Sequence, residues 1–472
     1  DDDDEAWWLW FGDGPGGWLA AVAAGFLGGG GTGGAGAISG SEATVTSGLN
    51  ITFAAGPFID GKLAIRAVDA TGNELFVYDG AENAVGDTLR QGVTLTGIET
   101  DRVLDQRVIT GLEVEFEDFS GPVFLQVEDT SAYIDETLGE EAQLDTPLRG
   151  IGEVPEGGIG QINLTPFTEL AIQLIETDAN QDGRPDISVS VDEPDADGLA
   201  AAGTLFDSAA DRVRDLTGVD IRETRPIVVN QATFDTSADA EGNQYGLKLA
   251  GLSALAGETV VPNRVQTAID ALTDNVKPIV DEAAGSIVFD NPGRALSNQV
   301  VFTDSVEAVV SGDASIRDQV IDADRPVTPP TIREFVVVNG DPVITGTAQL
   351  QDVGNTAGAS TELDLRVALN DQIVFSVGRV EGPGSGDLTI TDAGDVDTPG
   401  SWSLALSDLD PGVYSLDVFV VDPAANVTEA DGVDEGRGPQ LQFVSQTPPD
   451  PGARTAETMT LDEGKLASVE LA

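Results

Sequence analysis

The chain has 472 residues, 82 of them acidic and 23 basic, for a net charge of -59, and it contains no Cys and no His. Without Cys there is no disulfide, thiolate nucleophile or iron–sulfur ligand, and without His there is no Ser-His-Asp triad, imidazole base or histidine zinc site. The dense negative field repels phosphate backbones and anionic lipid surfaces, which argues against nucleic acid and membrane partners.

At about 150 residues per domain, the length suggests roughly three domains. The charge alone would suit a disordered chain, but 40% of the residues are apolar and they fall in periodic runs, which predicts a folded one. The only lysines are Lys62, Lys248, Lys277 and Lys465. Many carboxylates and few lysines suit a protein living in salt or calcium, where cations screen its self-repulsion. The absence of Cys fits an exported protein that does not rely on disulfides. The numbering opens on an Asp run rather than on Met, so the chain reads as processed or as a fragment.

Residues 1–38 form an acidic, Trp/Gly-rich segment that holds Trp7, Trp8, Trp10 and Trp18. Its apolar run from Trp18 to Leu27 has 10 residues, about half of what a membrane-spanning helix needs. The head reads either as a sticky, flexible leader or, since clustered Trp favours interfaces, as an interfacial or partner-docked segment, with membrane contact at most through residues 7–27. Residues 39–157 read as β: 49–54, 62–69, 74–79, 112–118 and 122–129 alternate apolar and polar positions. Asp69-Ala70-Thr71-Gly72-Asn73 is a hairpin turn between two of these runs. The region is expected to be a β-sandwich.

Over residues 158–325 the period changes to that of helices. Thr165 reads as an N-cap and Pro166 as the first helical residue. Phe167, Leu170, Ala171, Leu174 and Ile175 follow as one apolar stripe. A second helix is predicted near 199–217, with Ala202, Leu205, Phe206, Ala209, Val213 and Leu216 on one face and Gly218 placed to stop it. Tyr245, Leu249 and Leu252 mark a third, and Val265, Ile269, Leu272 and Val276 a fourth. The middle domain is therefore expected to be mostly helical.

A Pro-rich hinge, RPVTPPT, opens residues 326–445, where 364–370, 372–377, 401–406 and 414–422 read as strands of a second, seven-strand sandwich. Trp402 and Tyr414 read as core aromatics rather than as a sugar platform. Residues 446–472 read as a Pro-rich linker and a C-terminal strand at Leu466–Leu471, the start of a further domain.

One motif carries sharp chemistry. In Asp178-Ala-Asn180-Gln-Asp182-Gly183-Arg184-Pro-Asp186, oxygen side chains stand at positions 1, 3, 5 and 9 of a calcium-type loop, with Gly at position 6 and the Arg184 carbonyl at position 7. Position 12 is Val189 rather than the bidentate Glu, so a complete EF-hand is not present. The pattern is similar to the short aspartate loops of dockerin or thrombospondin type-3 repeats. A further carboxylate is required, and Asp192, Asp195 and Asp197 lie close in sequence. The metal ligands expected here are Asp178, Asn180, Asp182, Arg184 and Asp186, and the expected cofactor is Ca2+; the alternative is an Asx-rich solvated turn. The acidic groups at Asp392, Asp395 and Asp397 and at Asp431 and Asp434 are less specific. No carboxylate pair stands out as a glycosidase site. Gly28–Gly31 lacks the Lys-Ser/Thr and preceding strand of a phosphate loop.

Three stretches resemble known families. Gly346-Thr347-Ala348, Gly400, Trp402, Leu409, Gly412, Tyr414, Asp422, Ala424, Asn426 and Val427 match the pattern of the bacterial Ig-like repeats of giant surface adhesins, with an insertion around 351–361. Residues 121–150 followed by INLTPFTELA (162–171) resemble a module common in bacterial surface proteins, with Phe167 where that module carries Leu. The acidic, then Trp- and Gly-rich head looks like the prefix of Bap-type biofilm adhesins exported by type I secretion.

These resemblances imply a multi-domain, mainly β chain in which two β-sandwich (Ig-like) domains flank a mostly α-helical middle domain. They imply a secreted, non-enzymatic adhesin or scaffold at the bacterial cell surface, stiffened by calcium. Its partners would be other copies of itself or other surface and matrix components. The alternatives are a filament or sheath subunit assembled through its terminal segments by strand addition, and a polysaccharide-binding protein with glycan as partner.

Overall fold

The computed structural model describes residues 45–103, 106–135, 140–177, 185–227, 240–257, 264–310, 330–338, 341–348, 363–371, 373–376, 388–395, 398–406, 412–422, 425–430, 440–443, 458–460 and 467–469. The Trp/Gly-rich head, the 351–361 insertion and most of the aspartate loop lie outside them. The fold is mainly β, with several sheets and five helices among the described residues. No helix of the described residues is long and apolar enough to cross a membrane. The chain divides into two compact units: Asp1–Glu169 with Ser188–Gly203 and Arg225–Gly246, and Leu170–Ile187 with Thr204–Thr224 and Leu247–Ala472.

The first unit holds β1 (Thr46–Phe53), β2 (Phe58–Ile59), β3 (Ala64–Asp69), β4 (Glu74–Asp79), β5 (Thr88–Arg90), β6 (Val93–Val103), β7 (Gln106–Glu117), β8 (Gly121–Val127), β9 (Ala132–Ile134), β10 (Glu141–Gln143), β11 (Leu148–Val154) and β12 (Ile159–Leu164). One sheet runs β10-β9-β2-β7-β1-β12, with β6 added on β7 and β5 on β6; the other runs β11-β8-β3-β4. Alternation puts Leu49, Ile51 and Phe53 inside on β1 and Phe76 and Tyr78 inside on β4. Phe76 of one sheet meets Phe116 of the other with ring centroids 6.2 Å apart, so the two inner faces share an apolar layer.

The expected hairpin is present. β3 and β4 are antiparallel, and the Asp69 carboxylate accepts hydrogen bonds from Thr71 N at 2.8 Å and Asn73 N at 2.9 Å. Burial would raise the Asp69 pKa, but the bonds from Thr71 and Asn73 outweigh it and hold the group below its ordinary value. The sheet runs on past residue 157: β12 pairs parallel with β1 over Gly48–Phe53. Gly150 and Gly152 let β11 of the other sheet lie close against β12, since a Cβ at 152 would lie 2.2 Å from Ile162 Cγ1.

β12 leads into α1 (Pro166–Ile175). Thr165 caps it as expected, its hydroxyl accepting from Thr168 N at 3.2 Å while Thr165 N donates to Thr168 Oγ1 at 2.9 Å. α2 spans Ala196–Thr217. It ends at Gly218, whose φ of 71° lets its N–H reach Arg214 O at 2.7 Å. α3 (Ala240–Leu255) and α4 (Arg264–Leu272) follow, then the hairpin β13 (Pro278–Asp281) and β14 (Ser286–Phe289), then α5 (Pro292–Val310). Val276 lies beyond the end of α4.

In the second unit the last β region has more strands than the expected seven. They are β15 (Thr331–Val338), β16 (Asp341–Ala348), β17 (Asp364–Leu369), β18 (Ile373–Ser376), β19 (Leu388–Asp395), β20 (Thr398–Ala405), β21 (Gly412–Val421), β22 (Val427–Glu429), β23 (Gln440–Phe443), β24 (Thr458–Thr460) and β25 (Ala467–Val469). A five-stranded sheet runs β19-β20-β16-β15-β24, and a six-stranded sheet runs β18-β17-β21-β23-β25 with β22 on β21. The extra strands come partly from the tail: β24 pairs with β15 and β25 with β23, so residues past 446 complete these sheets.

Ile344, Trp402 and Leu404 from one sheet and Leu365, Val367, Val418 and Val420 from the other form one buried cluster. The opposite face of the six-stranded sheet is covered by α5, whose Leu296 and Val300 pack on Ala368, Phe419, Val421 and Val427.

Candidate functional site

Four of the five expected calcium ligands, Asp178, Asn180, Asp182 and Arg184, lie outside the described residues. The fifth, Asp186, is exposed, and its N–H donates to Thr177 O at 2.9 Å. That bond joins two described residues on either side of the aspartate loop. Among the described residues no group of three or more acidic side chains is arranged to hold a metal.

The nearby carboxylates singled out in the sequence have other work. Asp192 lies 3.4 Å from Arg66 Nε and accepts from Gln126 Nε2 at 2.9 Å. Asp195 caps α2, its carboxylate accepting from Asp197 N at 3.3 Å. Trp402 is 1% exposed and lies against Gly346, the residue paired with it on β16, so it is a core aromatic.

One buried polar arrangement among the described residues carries no signal in the sequence. Arg149 on β11 grips Glu169 in the first turn of α1: Nη2 donates to Oε1 at 2.6 Å, Nε to Oε2 at 2.9 Å and the backbone N–H to Oε2 at 3.1 Å. Arg149 Nη1 also donates to Val189 O at 3.0 Å. Glu169 is wholly buried and the Arg149 side chain is 12% exposed. Beside it, Thr165 Oγ1 and Tyr245 OH are 2.7 Å apart, and the Tyr245 ring stacks on Phe167 at 5.8 Å. The bidentate fork satisfies both carboxylate oxygens, and the helix N-terminus adds a favourable field. The arrangement fixes a strand to a helix.

A second buried charge, Lys248 on α3, is 2% exposed and donates from Nζ to Thr217 O at the end of α2. Burial lowers its pKa to about 8, and the charge of Asp422 offsets this in part. Asp422 closes the turn after β21, accepting from Asn426 N at 2.8 Å and Asn426 Nδ2 at 2.7 Å. The Asp-x-Ala-x-Asn spacing singled out in the sequence is thus a closed Asx turn, with Ala425 at a φ of 63°.

An open cleft of about 360 Å³ at the rim of the first unit is lined by Glu74, Arg90, Gly92, Phe116, Glu117 and Phe119.

Comparison with known proteins finds no match: no family model, no curated protein and no solved structure is similar to this chain.

Proposed function

We propose that the chain is a non-enzymatic adhesin or scaffold module of a bacterial cell surface or biofilm, stiffened by calcium at Asp178, Asn180, Asp182, Arg184 and Asp186. In this reading the two β regions are sandwiches, the second of the bacterial Ig-like kind, with the helical segment between them in sequence.

The observation that supports it is how the motif residues of the last β region meet. Gly346, Thr347 and Ala348 of β16 stand directly opposite Trp402, Ser401 and Gly400 of β20. The Gly-Thr-Ala and Gly-x-Trp elements are therefore two halves of one packing unit, in which Gly346 makes room for the Trp402 ring. The Asp422–Asn426 turn closes the same region. The charge of -59 agrees with a module that works where cations are abundant.

The test is display of the full chain on non-adherent bacterial cells. Calcium-dependent cell clumping or surface attachment, lost on chelation and absent from cells without the chain, is the expected result. Attachment no greater than that of bare cells in calcium overturns the reading.

A further inference from the structure

We propose that the packing of α5 on the six-stranded sheet is proton-dependent, with Asp417 and Glu429 as the carboxylates whose ionisation loosens it.

Position comes first. On β21, Asp417 shares a face with Phe419 and Val421, and its cross-strand partner on β17 is Ala368. Those three neighbours pack on Leu296 and Val300 of α5. Glu429 on β22 is the cross-strand partner of Phe419, so it lies diagonal to Asp417 on that same covered face. The N-terminus of α5 reaches the β17–β18 turn, where Gly293 N donates to Asp371 O at 2.9 Å.

Charge comes next. Asp417 is 7% exposed, and among the described residues neither it nor Glu429 has a hydrogen-bond donor or a cation as partner. The sheet-facing residues of α5 are Gly293, Leu296, Gln299, Val300 and Thr303, none of them charged. The helix's one cation near this end, Arg294, is engaged by Asp274. Asp304 and Glu307, further along α5, are acidic. On β17, Arg366 is taken by Asp364 at 2.9 Å. From the turn the group that bears on the pair is Asp371, a third negative charge. Burial, then Asp371, pushes Asp417 up to about 6. Burial, then Asp417 and Asp371, pushes Glu429 up to about 7.

The sign follows from linkage. A carboxylate whose pKa is raised by folding binds more protons in the native state than in the unfolded one. Stability is therefore lost as pH rises from the ordinary carboxylate range towards 7. The interface is tight when the pair holds a proton and strained when both groups are ionised.

The test is amide hydrogen exchange of the full chain, with intrinsic rates corrected and β1 and β12 as internal reference. Between about pH 5.5 and pH 8, protection of α5 and β22 should fall by about tenfold or more. In Asp417→Asn and in Glu429→Gln the fall should shrink, and in the double variant it should shrink to less than about threefold, whereas Glu113→Gln, an exposed change in the first unit, should behave as wild type. Unchanged protection in the wild type, or an undiminished fall in both variants, overturns the proposal. Should Asp417→Asn fail to fold, carboxyl-carbon NMR titration of the wild type decides: ordinary pKa values for both groups overturn it as well.

Discussion

Arg149 and Glu169 are 20 residues apart in sequence, and the guanidinium of one closes over the carboxylate of the other with two side-chain bonds of 2.6 and 2.9 Å. Breaking a buried pair from one side leaves the other charge stranded, at a cost of about 3–5 kcal/mol. Arg149→Ala should therefore destabilise the first unit by that order in urea unfolding, and Glu169→Gln should do so less. The double variant Arg149→Met/Glu169→Leu should recover most of the loss. Equal losses in the single and double variants would show that the charges do not act as a pair.

Gly346 is the second weak point. A Cβ there would lie 2.4 Å from Trp402 Cζ2 and 2.0 Å from Thr331 O. Gly346→Ala should cost at least about 1–3 kcal/mol through overpacking. It should also change the emission of Trp402, measured in a chain whose other Trp residues are replaced by Phe.

Lys248 gives a pH signature of opposite sense to the carboxylates. Its folded pKa of about 8 lies below its ordinary value of 10.5. The unfolded chain then binds more protons, so stability of the second unit should rise as pH climbs from about 8 to 10.5. In Lys248→Met that rise should vanish. A rise of equal size in the variant would assign it to another group.

Calcium is tested most directly by heat. With about a hundredfold excess of calcium over its Kd, a single site adds about 2.7 kcal/mol, which a melting scan resolves. Chelation should lower the melting temperature, and Asp182→Ala should abolish the difference. A scan that EDTA leaves unchanged rejects the bound ion.

Local rules made much of this architecture legible. Thr165-Pro166 and Gly218 mark helix ends by chemistry that acts within one turn, and both ends stand where the residues put them. α5 was not foreseen because it is buried on two sides: Leu296 and Val300 face the sheet while Val306 lies against Gly251 of α3. An element apolar on two faces has no single stripe to read. β12 was missed because Gly160, Gln161 and Asn163 interrupt its apolar residues; its place is set by a partner strand more than a hundred residues away. Nothing in the spacing of Arg149 and Glu169 announces a fork, because their meeting depends on how β11 and α1 pack. Asp417 is covered because α5, earlier in the chain, lies over its face of the sheet, which nothing within the strand 414–422 announces.

The parallel pairing of β1 with β12 also governs how the first unit bears tension. A pull applied before Thr46 and after Leu164 acts along both strands in opposite directions. The register from Gly48–Ile159 to Phe53–Leu164 is then loaded in shear, with its rungs resisting together instead of opening one by one as in a peeled hairpin.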